Sequence, residues 1–218
     1  MMDKMLILYT VTEKDVDKLA VSLKTLEFFP PSIDYEVMVV SDDTSEERLQ
    51  GLVKASQGVS LHKWPGTLAE SVDTAWRASD ANFVMLLHPD VIFINKSWCD
   101  VLLSKMIERS IQVMGSNAFQ EFDNLFGGRI MAIPPYVIIL TREALEANGG
   151  FEKKIDGEAR GALIHFHSAN HKIQVAGADL SSFMRHLSIC SYDDRTISEE
   201  QIRRIQEEVL RKLERIKS

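Results

Sequence analysis

Short apolar runs that alternate with helical patterns constrain this chain more than any other feature of its sequence. Residues 5–11 (MLILYTV), 35–40 (YEVMVV) and 83–87 (FVMLL) are such runs, and residues 59–64 read as a further strand. Runs of roughly four to eight residues without polar alternation suit strands buried on both faces of a parallel sheet. Between them, apolar residues recur at helical spacing. Val16, Leu19, Ala20, Leu23 and Leu26 do so before Pro30-Pro31; Leu49, Leu52 and Val53 follow the second run; Leu68, Val72, Ala75 and Trp76 follow Gly66. A further helix is expected over 95–109. This alternation predicts an α/β fold: an open, mostly parallel sheet with helices on both faces. With 45% hydrophobic residues in 218, the chain can fill such a core.

In open sheets of this kind, ligands bind beyond the carboxyl ends of the strands. The polar clusters fall at those ends: Thr10-Val11-Thr12, Ser41-Asp42-Asp43 and His88-Pro89-Asp90. The net charge of −7 argues against a nucleic-acid partner, which needs a basic surface. It suits a divalent cation, because hard cations take carboxylate ligands. The two cysteines, Cys99 and Cys190, lack partners at zinc-site spacing and read as buried thiols of a reducing compartment. The apolar run near the amino end is too short for a signal-peptide core, and no run has the length of a transmembrane segment. A cytoplasmic location is therefore expected. A serine nucleophile elbow, a phosphate-binding P-loop and a dinucleotide glycine fingerprint are all absent from the sequence.

The second half is less regular. A strand is expected at 112–117, a loop at 120–128, and a strand or hairpin over 129–140 around Pro134-Pro135. Thr141 caps a short helix that stops at Gly149-Gly150. A helix over 156–169 and a strand over 172–175 complete the domain, taken as residues 1–190. Residues 191–218 read as a C-terminal amphipathic helix, with Ser198 and Gln201 as a capping box and Ile202, Ile205, Val209, Leu213 and Ile216 as its apolar stripe. The stripe is short for a coiled coil, which favours packing on the domain over a homodimer.

Four stretches resemble the family-2 glycosyltransferases of the GT-A fold, over about residues 5 to 186. They are LILYTVTEKDVDKLAVSLKTL, EVMVVSDDTSEE, WPGTLAESVDTAWRASDANFVMLLHPDV, and GGRIMAIPPYVIILTREALEANGGFEKKIDGEARGALIHFHSANHKI. The second is similar to the family's base-binding turn, which places Asp42 against a nucleotide base, with Thr10 and Thr12 as neighbouring nucleotide contacts. The third leads to the position of the DxD motif. There Asp90 takes the place of the metal-binding carboxylate, and His88 replaces the first Asp as a ligand to metal, ribose or phosphate. The resemblance also implies His186 as a further metal or phosphate contact. It implies a Mn2+ or Mg2+ ion, a nucleoside-diphosphate sugar as donor, and a glycan, lipid or protein acceptor. In the fourth stretch Ala159 stands where the family has its catalytic Asp. An alanine accepts no proton, so Glu158 or Asp156 is expected to serve as base. The alternative is a catalytically degenerate domain that acts as a nucleotide-binding or protein-interaction module. A nucleotidyltransferase is disfavoured, because no Gly-rich basic loop follows the first strand.

Other residues suggest chemistry less strongly. Trp64 and Trp76 could stack on a base or sugar, although core packing is the commoner role of an isolated tryptophan. Asp73 stands where the family often has an Asn, and Arg77 is the nearest cation. In a helix over 156–169, His165 and His167 would point to different faces, which makes them a poor metal pair. His167 and His171, four apart, have no carboxylate at a matching step.

Overall fold

The computed structural model describes residues 3–12, 15–41, 43, 45, 47–63, 66–116, 119–123, 128–133, 136–151, 166–168, 170–186, 207 and 211. The first apolar run becomes β1 (Lys4–Val11), at the middle of a seven-stranded sheet. Around it lie β2 (Asp34–Ser41), β3 (Val59–His62), β4 (Phe83–Leu87), β6 (Val113–Gly115), β9 (Val137–Thr141) and β11 (Val175–Gly177), in the order β11-β6-β9-β4-β1-β2-β3. β1 pairs parallel with β2 and β4, β2 with β3, and β11 with β6; β9 runs antiparallel between β4 and β6. The sheet is thus mostly parallel, as the apolar runs predict.

The residues of β1 alternate between two cores. Met5, Ile7, Tyr9 and Val11 face α1 (Val16–Phe28), α2 (Glu47–Ala55) and α4 (Trp98–Glu108). Leu6 and Leu8 face α3 (Leu68–Ala78) and α5 (Arg142–Asn148). Burial on both faces is why the run lacks polar alternation. Thr10 and the hydroxyl of Tyr9 are the polar exceptions within it, and Tyr9 belongs to the first of these cores. Its hydroxyl is 2.9 Å from Ser22 Oγ, and burial pushes its pKa well above the ordinary tyrosine range. One of the four tyrosines should therefore stay un-ionised in a spectrophotometric titration of the folded protein through about pH 11. The unfolded chain releases this proton above about pH 10 and the folded chain does not, so Tyr9 makes stability fall as pH rises beyond that point.

The helix boundaries follow their capping residues. Thr67 and Glu70 form a capping box on α3, and the Thr141 side chain accepts from Ala144 N at the start of α5. Gly149, at φ 83°, takes the left-handed conformation that ends α5.

Three parts of the second half differ from the sequence reading. Within 120–128, expected as a loop, residues 120–123 and 128 belong to two antiparallel strands, β7 (Phe119–Asp123) and β8 (Gly128–Ile133). The helix expected over 156–169 does not reach its far end: Phe166–Ser168 is strand β10, paired antiparallel with β8. The strand expected at 172–175 starts three residues later, because β11 takes its register from β6. Two unexpected short strands, β5 (Val91–Phe93) and β12 (Met184–His186), pair antiparallel. Residues 152–165 and the apolar stripe of the C-terminal helix lie outside the described residues. No described helix is long and apolar enough to cross a membrane.

Candidate metal and nucleotide site

The chain enters the sheet at β1, builds outward through β2 and β3, then returns across β1 to place β4 on its other side. The carboxyl ends of β1 and β4 therefore flank a topological switch point, where open α/β sheets form a crevice. His88-Pro89-Asp90 leaves β4 at this edge. The His88 backbone N–H donates to Tyr136 O at 3.1 Å, just beyond the Leu87–Val137 pair of β4 and β9. The chain then turns into β5, whose Val91 pairs with His186 of β12. Residues nearly a hundred positions apart are thereby brought together by a three-residue ladder.

His88 Nδ1 lies 2.5 Å from Asp90 Oδ1, and His186 Nε2 lies 2.8 Å from the same oxygen. The Asp90 side chain has no exposed surface. Burial alone would raise its pKa; hydrogen bonding and charge from His186 and His88 outweigh burial and hold the carboxyl well below the usual range. β5 is itself anchored beneath the site. Ser22 Oγ of α1 donates to Val91 O at 2.5 Å, and Phe93 N donates to Thr25 Oγ1 at 3.0 Å.

One ligand atom from each of His88, Asp90 and His186 lies within 4.8 Å of the others. Metal–ligand bonds of about 2.1 Å set neighbouring donors of an octahedral ion about 3 Å apart. The two contacts to Asp90 Oδ1 fall a few tenths of an ångström short of that. Two imidazoles and a carboxylate that already converge therefore fit a divalent metal with little movement.

The other expected site residues are placed as follows. Thr10 is buried near the end of β1, at the same sheet edge. Thr12 follows it, but its hydroxyl donates to Asp15 Oδ2 at 2.7 Å and so belongs to the start of α1. Asp42, Glu158 and Asp156 lie outside the described residues. Asp42 is bracketed by Ser41, which ends β2 at this same edge, and by Asp43, whose carboxylate accepts from Ser45 N at 2.8 Å.

Asp73 has a structural task. Its Oδ1 accepts from Trp76 Nε1 at 2.8 Å and from Phe151 N at 3.0 Å, which ties α3 to the Gly149-Gly150-Phe151 turn. Burial raises its pKa against those two hydrogen bonds. Arg77 lies over the Trp76 ring at 4.3 Å and donates to Gly149 O at 3.3 Å. Trp76 is a buried core residue, in keeping with the commoner reading. Trp64 and the side chains of His165 and His167 lie outside the described residues, and His171 is exposed in a turn. Cys99 is a buried free thiol.

Sequence reasoning missed Tyr136. Its ring meets the His186 ring edge-on, with centroids 4.5 Å apart, and lies 6.3 Å from the His88 ring. The only sequence signal was its position between Pro134-Pro135 and an apolar strand, which says nothing of its neighbours.

No known protein-family profile matches the chain, and no curated protein matches it in sequence. Among the solved structures similar to it are the following. One is the mannosyltransferase PcManGT from Pyrobaculum calidifontis, in complex with GDP-Man and Mn2+, at TM-score 0.51 and 13% identity over 68% of this chain and 47% of that one. Another is S. aureus TarS 1–349, at TM-score 0.49 and 15% identity over 71% of this chain and 52% of that one. The third is CMP-2-keto-3-deoxy-manno-octonic acid synthetase with CTP, at TM-score 0.47 and 13% identity over 70% of this chain and 80% of that one. The chain spans about half the length of the first two. Its sheet order, the helices on both faces and the similarity to the Pyrobaculum structure identify the fold as α/β of the GT-A type.

Proposed function

We propose that the chain uses a nucleoside-diphosphate sugar as donor, with His88, Asp90 and His186 holding a divalent metal ion where the diphosphate sits. The observation that carries this reading is the convergence of two imidazoles on a buried carboxylate at the switch point of the sheet. The GT-A fold and the Mn2+ and GDP-Man of the Pyrobaculum enzyme support it.

A bound divalent ion would neutralise charge on the leaving diphosphate. The rest falls to the chain's own residues. In this reading Asp42, the residue that follows β2 in the sequence, recognises the base, and His88 and Thr10 contact the phosphates. In the transfer, the acceptor hydroxyl oxygen bonds to the anomeric carbon as the bond to the phosphate oxygen breaks. The nucleoside diphosphate leaves with that electron pair, and the hydroxyl proton passes to Asp156 or Glu158.

Calorimetric titration with a panel of nucleoside diphosphates and their sugars, with and without Mn2+, tests the reading. Binding of at least one diphosphate only when the metal is present is the expected result. No binding across the panel would sink it. Release of free nucleoside diphosphate from the bound donor separates a transferase from a domain that binds without turnover.

A further inference from the structure

We propose that Tyr136 contacts the sugar of the donor, through a hydroxyl that the protein itself leaves without a partner. The proposal rests on the nucleotide-sugar reading above and adds to it the residue that meets the transferred group.

The topology gives Tyr136 its place. β9 lies on the far side of β4 from β1 and runs antiparallel to β4, so its first residues reach the carboxyl edge. Leu87 pairs with Val137, and His88 N donates to Tyr136 O at 3.1 Å. Tyr136 therefore stands opposite His88, one strand beyond the corner that carries Asp90. Neighbouring strands are about 4.8 Å apart. In the proposed function the base meets the end of β2 and the diphosphate meets the end of β4, with β1 between them. The group on the second phosphate then falls over the next strand in that direction, which is β9. In a nucleotide sugar this group is the sugar.

The chemistry of Tyr136 suits that place. Its backbone is fixed from both sides, because His88 N donates to its own carbonyl and Ser116 N donates to Val137 O at 3.2 Å. Its ring meets the His186 ring edge-on, with centroids 4.5 Å apart. The residue is only half-buried, and its hydroxyl has no hydrogen-bond partner among the described residues. The result is a phenol held in position with its donor and acceptor capacity unspent. An aromatic body covers the apolar face of a sugar, and the hydroxyl at its tip bonds to a sugar hydroxyl. A tyrosine fixed in this way loses little freedom on binding. His88, Asp90 and His186 meet only phosphate, which every donor shares, so the choice of sugar needs a group beyond them. A site that hydrogen-bonds a substrate hydroxyl discriminates more sharply than an apolar pocket does.

Calorimetry on the full chain with Mn2+ tests this, using GDP with GDP-mannose and UDP with UDP-glucose as ligand pairs. Wild type, Tyr136→Phe and Tyr136→Ala are compared. Phenylalanine keeps a ring against His186 and removes only the hydroxyl. For whichever pair binds, Tyr136→Phe should bind the free diphosphate within about twofold of wild type and the sugar-bearing ligand about three- to tenfold more weakly, the range for one lost hydrogen bond. Tyr136→Ala should widen that gap, because the ring is lost as well. Equal affinity of wild type and Tyr136→Phe for the sugar-bearing ligand would overturn the proposal and leave Tyr136 as a support for His186. Equal weakening of both members of the pair would overturn it too, since the hydroxyl would then act on the diphosphate. Either of these results leaves the proposed function standing. A wild-type protein that binds neither member of either pair would remove the proposed function, and this contact with it.

Discussion

Asp90→Asn is expected to lower metal-supported nucleotide affinity by more than about 100-fold, or about 2.7 kcal/mol. Asp90 is the sole carboxylate of the cluster, and both imidazoles meet at its Oδ1. An amide keeps the shape but removes the negative charge, and its NH2 group cannot accept from a histidine. Changes to residues that merely orient a metal ligand typically cost 10–100-fold, so loss of the charged ligand itself should exceed that range. The fold should survive. Imidazole has a neutral form, so removing the carboxylate strands no obligatory charge, unlike the removal of one partner from a buried arginine or lysine pair. A cost of about 1–3 kcal/mol in stability is expected from the lost hydrogen bonds. Calorimetry with Mn2+ and the best-binding nucleotide, alongside a thermal melt, separates the two effects. A well-folded Asp90→Asn protein that binds nucleotide within a few-fold of wild type would mean that the diphosphate does not use this cluster.

The first half of the fold was legible because its signals are local. The runs at 5–11, 35–40 and 83–87 became β1, β2 and β4 with shifts of at most one residue at their ends. Strands covered on both faces carry their burial in their own composition. The Asp90 corner was legible only in part: its position at the carboxyl edge of an α/β sheet favours ligands, but resemblance to the DxD segment is what singled out His88 and Asp90. Local pattern fails for β5, β12 and β10. Each has three residues, too few for a period to show, and each exists because of a partner far along the chain. The geometry of His186 depends on that distant pairing, so resemblance suggested the residue while only the β5–β12 ladder shows how it reaches Asp90. Tyr136 is a sharper case, since its place beside both histidines follows from β9 running antiparallel to β4, and no residue near it announces that direction. Asp73 shows the converse. Read as a departure from the family's usual Asn, it is instead occupied by the backbone N–H of Phe151 and the Trp76 indole.

Trp98→Ala should be the most destabilising single change away from the site, at about 3–5 kcal/mol. Trp98 opens α4 with no exposed surface; its indole N–H donates to Phe29 O at 2.8 Å, and its ring lies 4.9 Å from that of Phe93. Truncation leaves a cavity between α4 and β5 and leaves a buried carbonyl without its donor, which adds to the transfer cost. Domains of this kind are stable by only about 5–15 kcal/mol, so this one change removes a large share. Trp98→Phe separates the contributions, because it keeps a ring against Phe93 and loses only the hydrogen bond and some volume; about 1–3 kcal/mol is expected. Urea denaturation of the three proteins should give the order wild type, then Trp98→Phe, then Trp98→Ala. The link to the site is Phe93, two residues beyond Val91 in the strand that follows Asp90. Slackening of β5 should therefore loosen the fit between Asp90 and His186, and Trp98→Ala should weaken Mn2+ binding severalfold even at temperatures where it remains folded. An alanine variant within about 1 kcal/mol of wild type would mean that the surroundings of Trp98 collapse to fill the cavity, and that Ser22, Thr25 and the pairing with β12 hold β5 without it.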